Sequence, residues 1–257
     1  MLLYSLRSLW LIADNTLLFP GGEMKKTAFC TFSLFLWIFL ITAGAARAWH
    51  DETHLAVAKA AGYHKWYNAA GPDIAKEKAR EIEGPNHYYN NNRALEVTSR
   101  MVLEQVGRYN YPNDAEGHLY GAIIASLRQY GQSKKEKKYA QYHIAFCAHY
   151  LADLSQPQHN TPRDDFNRTY HEANERVVND QVLQRIGKIE KYMYPITLRE
   201  EHFEEDLAKE IARIANGARK LDSRLRQENR AMTPEEVYRQ LGHSASLLEA
   251  VLYYLKL

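Results

Sequence analysis

The residues best suited to chemistry lie in one short block, His149-Tyr-Leu-Ala-Asp153-Leu-Ser-Gln-Pro157-Gln-His159. His149 and Asp153 stand at i and i+4, so on a helix both side chains leave the same face and can meet one metal ion. Pro157 cannot continue a helix, so the chain is expected to turn there and send His159 in a different direction. Imidazole and carboxylate on a helix, followed by an imidazole on a loop, form a ligand set that suits zinc. Downstream, His171 and Glu175 repeat the i, i+4 spacing. One His-x-x-x-Glu pair alone reads as a surface pair. Two such pairs flanking a Pro-x-His are harder to dismiss.

The elements that must hold these residues are helical. Apolar residues recur at helical spacing through most of the chain, and no convincing strand alternation interrupts them. An Ala-rich helix is expected over 51–61, with Asp51 as its cap. A second runs over 93–108, with Leu95, Val97, Met101, Val102 and Val106 in register. Two longer helices follow over 116–130 and 134–154, then a shorter one over 169–183. The span 198–221 is strongly amphipathic, with Phe203, Leu207, Ile211 and Ile214 on one face. A final helix starts at the N-cap Thr233, with Pro234 at its first position and Glu236 completing a capping box. Gly71-Pro72 and Gly84-Pro85 punctuate an irregular stretch between the first two helices. The expectation is one all-α domain.

The front of the chain reads differently. From Met24 come Lys25-Lys26, an apolar run over 27–44 and the small-x-small site Ala46-Arg47-Ala48. These are the three parts of a secretory signal peptide, with Trp49 as the new N-terminus after cleavage. An uncleaved anchor is the alternative, since the apolar run is near the lower limit for spanning a bilayer. Residues 1–23 would then precede the signal, and Gly21-Gly22-Glu23 is what a purine-rich ribosome-binding site yields when translated. Met24 is therefore the expected start, with 1–23 a mis-annotated extension, 24–48 the signal peptide and 49–257 the domain. The destination is the periplasm or the medium.

The whole chain of 257 residues carries a net charge of +2. Losing Arg7, Lys25, Lys26 and Arg47 with Asp14 and Glu23 leaves 49–257 neutral. Bulk electrostatics is thus excluded as the route to nucleic acid or membrane; recognition must come from a site. Cys30 leaves with the leader and Cys147 remains, so no disulfide framework holds the fold. An exported chain of this kind must rely on its core or on metal.

The block from His149 to His159 resembles the central metal motif of the zinc-dependent bacterial phospholipases C, whose fold the single-strand-specific fungal nucleases share. That family binds three zinc ions through nine residues, one of them an N-terminal tryptophan. Every position has a counterpart here. Trp49 matches the terminal ligand and His54 the first-helix histidine. Asp73 and His87 match the aspartate and histidine between the first two helices, and His171 and Glu175 complete the set. The motifs cover 49–175; the C-terminal helices match only in helical character.

The resemblance implies a single compact multi-helix domain of the phospholipase C and nuclease type. One zinc would take Asp73, His87, His149 and Asp153; a second, His159, His171 and Glu175. The third would take the amino nitrogen and carbonyl oxygen of Trp49, His54 and the second oxygen of Asp153. A terminal amine ligates only when neutral and only after cleavage, which would couple export to metal loading. The implied activity is phosphodiester hydrolysis by metal-activated water, with Asp73 as a possible base. Glu175 in place of aspartate, the short gap between His159 and His171, and the lack of a mature disulfide resemble the phospholipase branch. The short gap between Trp49 and His54 resembles the nuclease branch.

Phospholipid at a membrane surface is therefore the expected substrate, with bilayer contact through loops around the site. Nucleic acid is the substrate only under an alternative reading, as an exported single-strand nuclease or nucleotidase. A zinc-binding protein without turnover is a third reading. No protein partner is implied, and a monomer is expected. His50, His64, His118, His143, His202 and His243 read as surface or packed residues, Cys147 as a small buried one. Of Tyr88 and Tyr89, at least one is expected to pack rather than line a pocket. Lys134 to Lys138 read as a solvated helix start.

Overall fold

Periodicity translates into helices, though not always at the expected ends. The computed structural model describes residues 51–92 and 94–257, which fall within one compact unit. In chain order the helices are α1 (Asp51–Ala60), α2 (Gly71–Lys78), α3 (Arg80–Glu83), α4 (Ser99–Gln105), α5 (Leu119–Lys135), α6 (Gln141–Leu154), α7 (Asp165–Arg176), α8 (Asn179–Val182), α9 (Ile186–Glu190), α10 (Phe203–Glu228) and α11 (Pro234–Leu255). Short 3-10 turns lie at Trp66–Asn68, Gly84–His87, Val106–Arg108, Pro157–Asn160 and Glu200–His202. Among the described residues there is no strand, so the molecule is all-α. The segment 24–48, read as a signal peptide, and Trp49 lie outside the described residues.

α5 and α6 form the central antiparallel pair, and both are buried nearly all round, as expected of helices without a polar face. Leu119, Ile123 and Ile124 of α5 meet Ile144, Tyr150, Leu151 and Leu154 of α6 in a core completed by α1, α10 and α11. Removing each large aliphatic chain from water contributes about 1.5–3 kcal/mol. Gly121 lets α5 approach the end of α4: a Cβ there would stand 2.2 Å from the Gln105 backbone. Gly117, at φ +73°, packs equally close against the Tyr88 carbonyl.

Several boundaries differ from the sequence reading. The 93–108 pattern yields only α4, because the Thr98 side chain accepts a hydrogen bond from Met101 N at 3.2 Å and starts the helix there. Leu95 consequently remains outside the helix and exposed. The basic run belongs to the end of α5, not to the start of α6. Lys134 and Lys135 occupy its last turn, and Lys137 at φ 55° breaks the path. The Asp164 side chain accepts from Asn167 N at 3.1 Å and starts α7 four residues before the expected Thr169. Asp51 stands in the first turn of α1, where an acid suits the positive end of the helix. Gly71-Pro72 and Gly84-Pro85 begin helical turns instead of interrupting them. The Thr233 capping box forms as read.

Candidate metal centre

Asp153 is the geometric centre of the site. It lies one turn beyond His149 on α6, is fully buried, and has no apolar substitute for its charge. Its Oδ1 lies 3.1 Å from His54 Nε2 and 3.2 Å from His159 Nδ1. Its Oδ2 lies 3.0 Å from His87 Nδ1 and 3.4 Å from His149 Nε2. Four imidazoles from α1, the Gly84–His87 turn, α6 and the Pro157–Asn160 turn thus surround one carboxylate. Asp73 on α2 adds a second, with Oδ1 3.7 Å from His149 Nε2 and 3.8 Å from His87 Nδ1. On the other side of His159, Glu175 Oε1 is 3.4 Å from His159 Nε2 and 3.1 Å from His171 Nε2.

Three groups of donor atoms result, each with all its atoms within 4.8 Å of one another: His54, Asp73 and His149; His87, His149 and Asp153; His159, His171 and Glu175. Eight of the nine residues singled out in the sequence are brought together; Trp49 is outside the described residues. Buried groups of this kind could hold metal ions. Tetrahedral zinc with bonds of about 2.1 Å sets its ligands about 3.4 Å apart, which is the spacing seen here. The hydrogen bonding supports that fit. Both Glu175 oxygens are buried without a hydrogen bond, and His159 Nδ1 is likewise unbonded despite its nearness to Asp153. A buried carboxylate without a donor is costly, and a cation relieves it.

The scaffold fixes tautomers as well as positions. His149 Nδ1 donates to the Ala69 carbonyl at 2.8 Å, which leaves Nε2 facing the carboxylates, free to ligate once it gives up its proton. The His159 turn is braced from α10, where Arg219 donates to the Asn160 carbonyl at 2.8 Å and Asp222 accepts from Gln158 at 3.1 Å. Asn160 in turn donates to the Leu154 carbonyl at 2.9 Å, tying the turn to the end of α6.

Electrostatics follow from burial and pairing. Burial alone would raise Asp153, but His159 and His149 outweigh it and hold its carboxyl well below the usual range. Asp73 behaves alike: burial opposes ionisation, yet His149, His54 and Lys76 keep it ionised. Burial disfavours charge on His159, but Asp153 and Glu175 prevail and push it up to about 9. Burial and the neighbouring His149 lower His54 to about 4. Burial and His159 lower His171 to about 3. Burial raises Glu175.

Sequence reasoning missed Glu83. Its Oε1 lies 3.3 Å from His87 Nε2, behind the ring, and accepts from Tyr150 Oη at 2.5 Å, while Oε2 accepts from Asn86 at 3.1 Å. A buried carboxylate on the far nitrogen is what orients a ligating imidazole. Its signal was Glu83-x-x-x-His87, the same spacing as the pairs that were read. Lys76 was missed too: it pairs with Asp73 Oδ1 from one turn along α2. Of the remaining histidines His50 lies outside the described residues, and the others are packed or on the surface as expected. His143 meets Ser133 Oγ at 3.1 Å, and His118 is buried between Asn86 and Asp114, each at 2.8 Å. Tyr89 packs edge-on against Tyr120, Tyr88 donates to the Asp114 carbonyl at 3.3 Å, and burial pushes the Cys147 thiol up to about 12.

No family model, curated protein or solved structure matches this chain. The residues themselves must therefore carry the functional reading.

Proposed function

We propose that this protein is an exported phosphodiesterase holding three zinc ions, and that its substrate is a phospholipid cleaved in the manner of phospholipase C. The observation that carries the reading is Asp153: one buried carboxylate, its two oxygens shared among four imidazoles from four separate elements. Asp73, His87, His149 and Asp153 would hold one ion. His159, His171 and Glu175 would hold a second; Trp49, His54 and the other oxygen of Asp153 would hold the third. Zinc bound there supplies Lewis acidity toward a phosphoryl oxygen and a water acidic enough to attack near neutral pH.

The chain's own contribution is orientation, charge and access. The Ala69 carbonyl accepts from the far nitrogen of His149, so its facing nitrogen stays aimed at the carboxylates, and the Glu83 carboxylate stands 3.3 Å from the far nitrogen of His87. Asp73 remains ionised and can accept a proton at its carboxylate. The Lys76 ammonium beside it meets the anionic phosphate. Access is one-sided: the His171 side chain is 31% exposed and that of Lys76 23%, whereas His149 is fully buried. A purely structural zinc site closes with four protein ligands and needs no such opening.

The test combines elemental analysis with turnover of phosphatidylcholine, phosphatidylinositol and single-stranded DNA, each with and without chelator. Zinc-dependent release of diacylglycerol supports the proposal. Cleavage of DNA alone would assign the nuclease chemistry instead, and bound zinc with no turnover would make the centre structural. A variant carrying one extra residue before Trp49 should lose one zinc and most of its rate.

A further inference from the structure

Lysine is unevenly distributed in this nearly neutral chain. Segments 59–69 and 130–142 together hold Lys59, Lys65, Lys134, Lys135, Lys137 and Lys138 against one acid, Glu136. Glu136 is already engaged by Lys138 at 2.6 Å. The structure brings the two segments together, with Lys65 Nζ 5.9 Å from the centre of the Tyr139 ring. Exposed tyrosines are interleaved with the cations: Tyr67 is 60% exposed, Tyr139 67% and Tyr142 48%. Lys59 caps Trp66 at 5.1 Å, and Tyr139 and Tyr142 are offset-stacked at 6.3 Å. The negative end of the α5 dipole accounts for Lys134 and Lys135. It accounts for none of the other four lysines, nor for the tyrosines.

We propose that this surface, built from the Trp66–Asn68 turn and the α5–α6 connection, docks the protein on an anionic lipid bilayer. Trp and Tyr settle at headgroup depth, where the ring body is sheltered and the polar tip stays wet, and lysines beside them meet lipid phosphate. Single-stranded nucleic acid is the less suited polyanion, because base stacking needs an open ring face. The Tyr142 face is covered by His143 at 3.8 Å, and Tyr139 and Trp66 each carry a lysine. The chain also runs from this surface into the candidate metal centre. Trp66–Asn68 leads into Ala69, whose carbonyl holds His149, and then into α2, which carries Asp73. The inference extends the phospholipid reading by naming the face that would present the bilayer to the site.

Flotation of the processed protein, 49–257, with vesicles tests it, in chelator so that no lipid is consumed and with circular dichroism confirming that the metal-free protein keeps its helix content. Vesicles of phosphatidylcholine mixed with phosphatidylserine should retain the protein, those of phosphatidylcholine alone should retain far less, and salt should weaken the difference. Each lysine near an anionic surface contributes about fivefold. The triple variant Lys135→Glu, Lys137→Glu, Lys138→Glu should therefore bind at least about tenfold less, and Tyr67→Ser with Tyr139→Ser should bind several-fold less. All five side chains are solvent-facing, so helix content should stay unchanged. No retention by mixed vesicles, or retention indifferent to both variants, overturns the proposal. So does tyrosine dependence seen with a single-stranded oligonucleotide but not with vesicles. Turnover is measured separately on the zinc-loaded protein, so a failed activity assay leaves the docking result standing, and the reverse.

Discussion

At the start of α11 the polar groups close on one another: Glu236 N donates to Thr233 Oγ1 at 3.3 Å, and Thr233 N donates to Glu236 Oε2 at 2.9 Å. At the start of α10, Arg199 clasps Asp206 through Nη2 at 2.7 Å, again with both partners supplied by the chain. Around Glu175 and His159 the closure is looser: Glu175 Oε1 meets imidazole nitrogens at 3.1 and 3.4 Å without a well-aligned hydrogen bond. Both regions have well-packed apolar flanks, so packing is not the difference. The C-terminal helices are tied at their starts by their own side chains. The imidazoles and carboxylates gathered between α1 and α7 could be completed by metal ions, which under the proposed function would tie the stability of that region to them.

The most severe way to break this contrast is Asp153→Asn, which removes the charge shared by four imidazoles. Zinc content by elemental analysis should fall by the ions that depend on this residue, and hydrolysis should fall to the level of chelated protein. Because α10 and α11 complete the same core, they should melt together with the rest of the domain, at a lower temperature than in the zinc-loaded parent. A milder cut is Glu83→Gln, which leaves His87 in place but weakens its hold on orientation. Zinc affinity, read by competition with a chromophoric chelator, should drop about 10–100-fold.

pH sharpens the comparison further. His159, pushed up to about 9 from an ordinary 6.5, must lose a proton before it can ligate. Apparent zinc affinity should accordingly rise about tenfold per unit between about pH 7 and 9, then flatten. In the metal-free protein the sign is opposite. The charged His159 stabilises the fold fully below about 6.5, and that contribution is lost as pH rises through about 9. Zinc titrations and thermal melts across this window should therefore trend in opposite directions. The smallest effect is expected from Thr233→Ala, at about 1 kcal/mol of stability in a denaturant titration, with zinc content unchanged.

The sequence disclosed the site better than the fold boundaries. His149, Asp153, His171 and Glu175 were legible because i, i+4 spacing maps onto one helix face, and His159 because proline forces a turn. Glu83 was hidden because its partnership with His87 crosses from α3 into a 3-10 turn, where helical spacing is a poorer guide. Lys76 looked like any surface lysine beside an acid. The α5–α6 break was placed too early, at 131–133, because Lys137 takes a left-handed φ of 55° without glycine or proline to announce it. The early start of α7 came from a side-chain cap at Asp164, which apolar periodicity does not report.

Asp153 has one consequence for how the protein would hold zinc. Under the proposed function, a carboxylate shared between two neighbouring ions would make the hold on each depend on the same side chain, already parked among its imidazoles before either arrives. Whatever removes its charge would then loosen both at once.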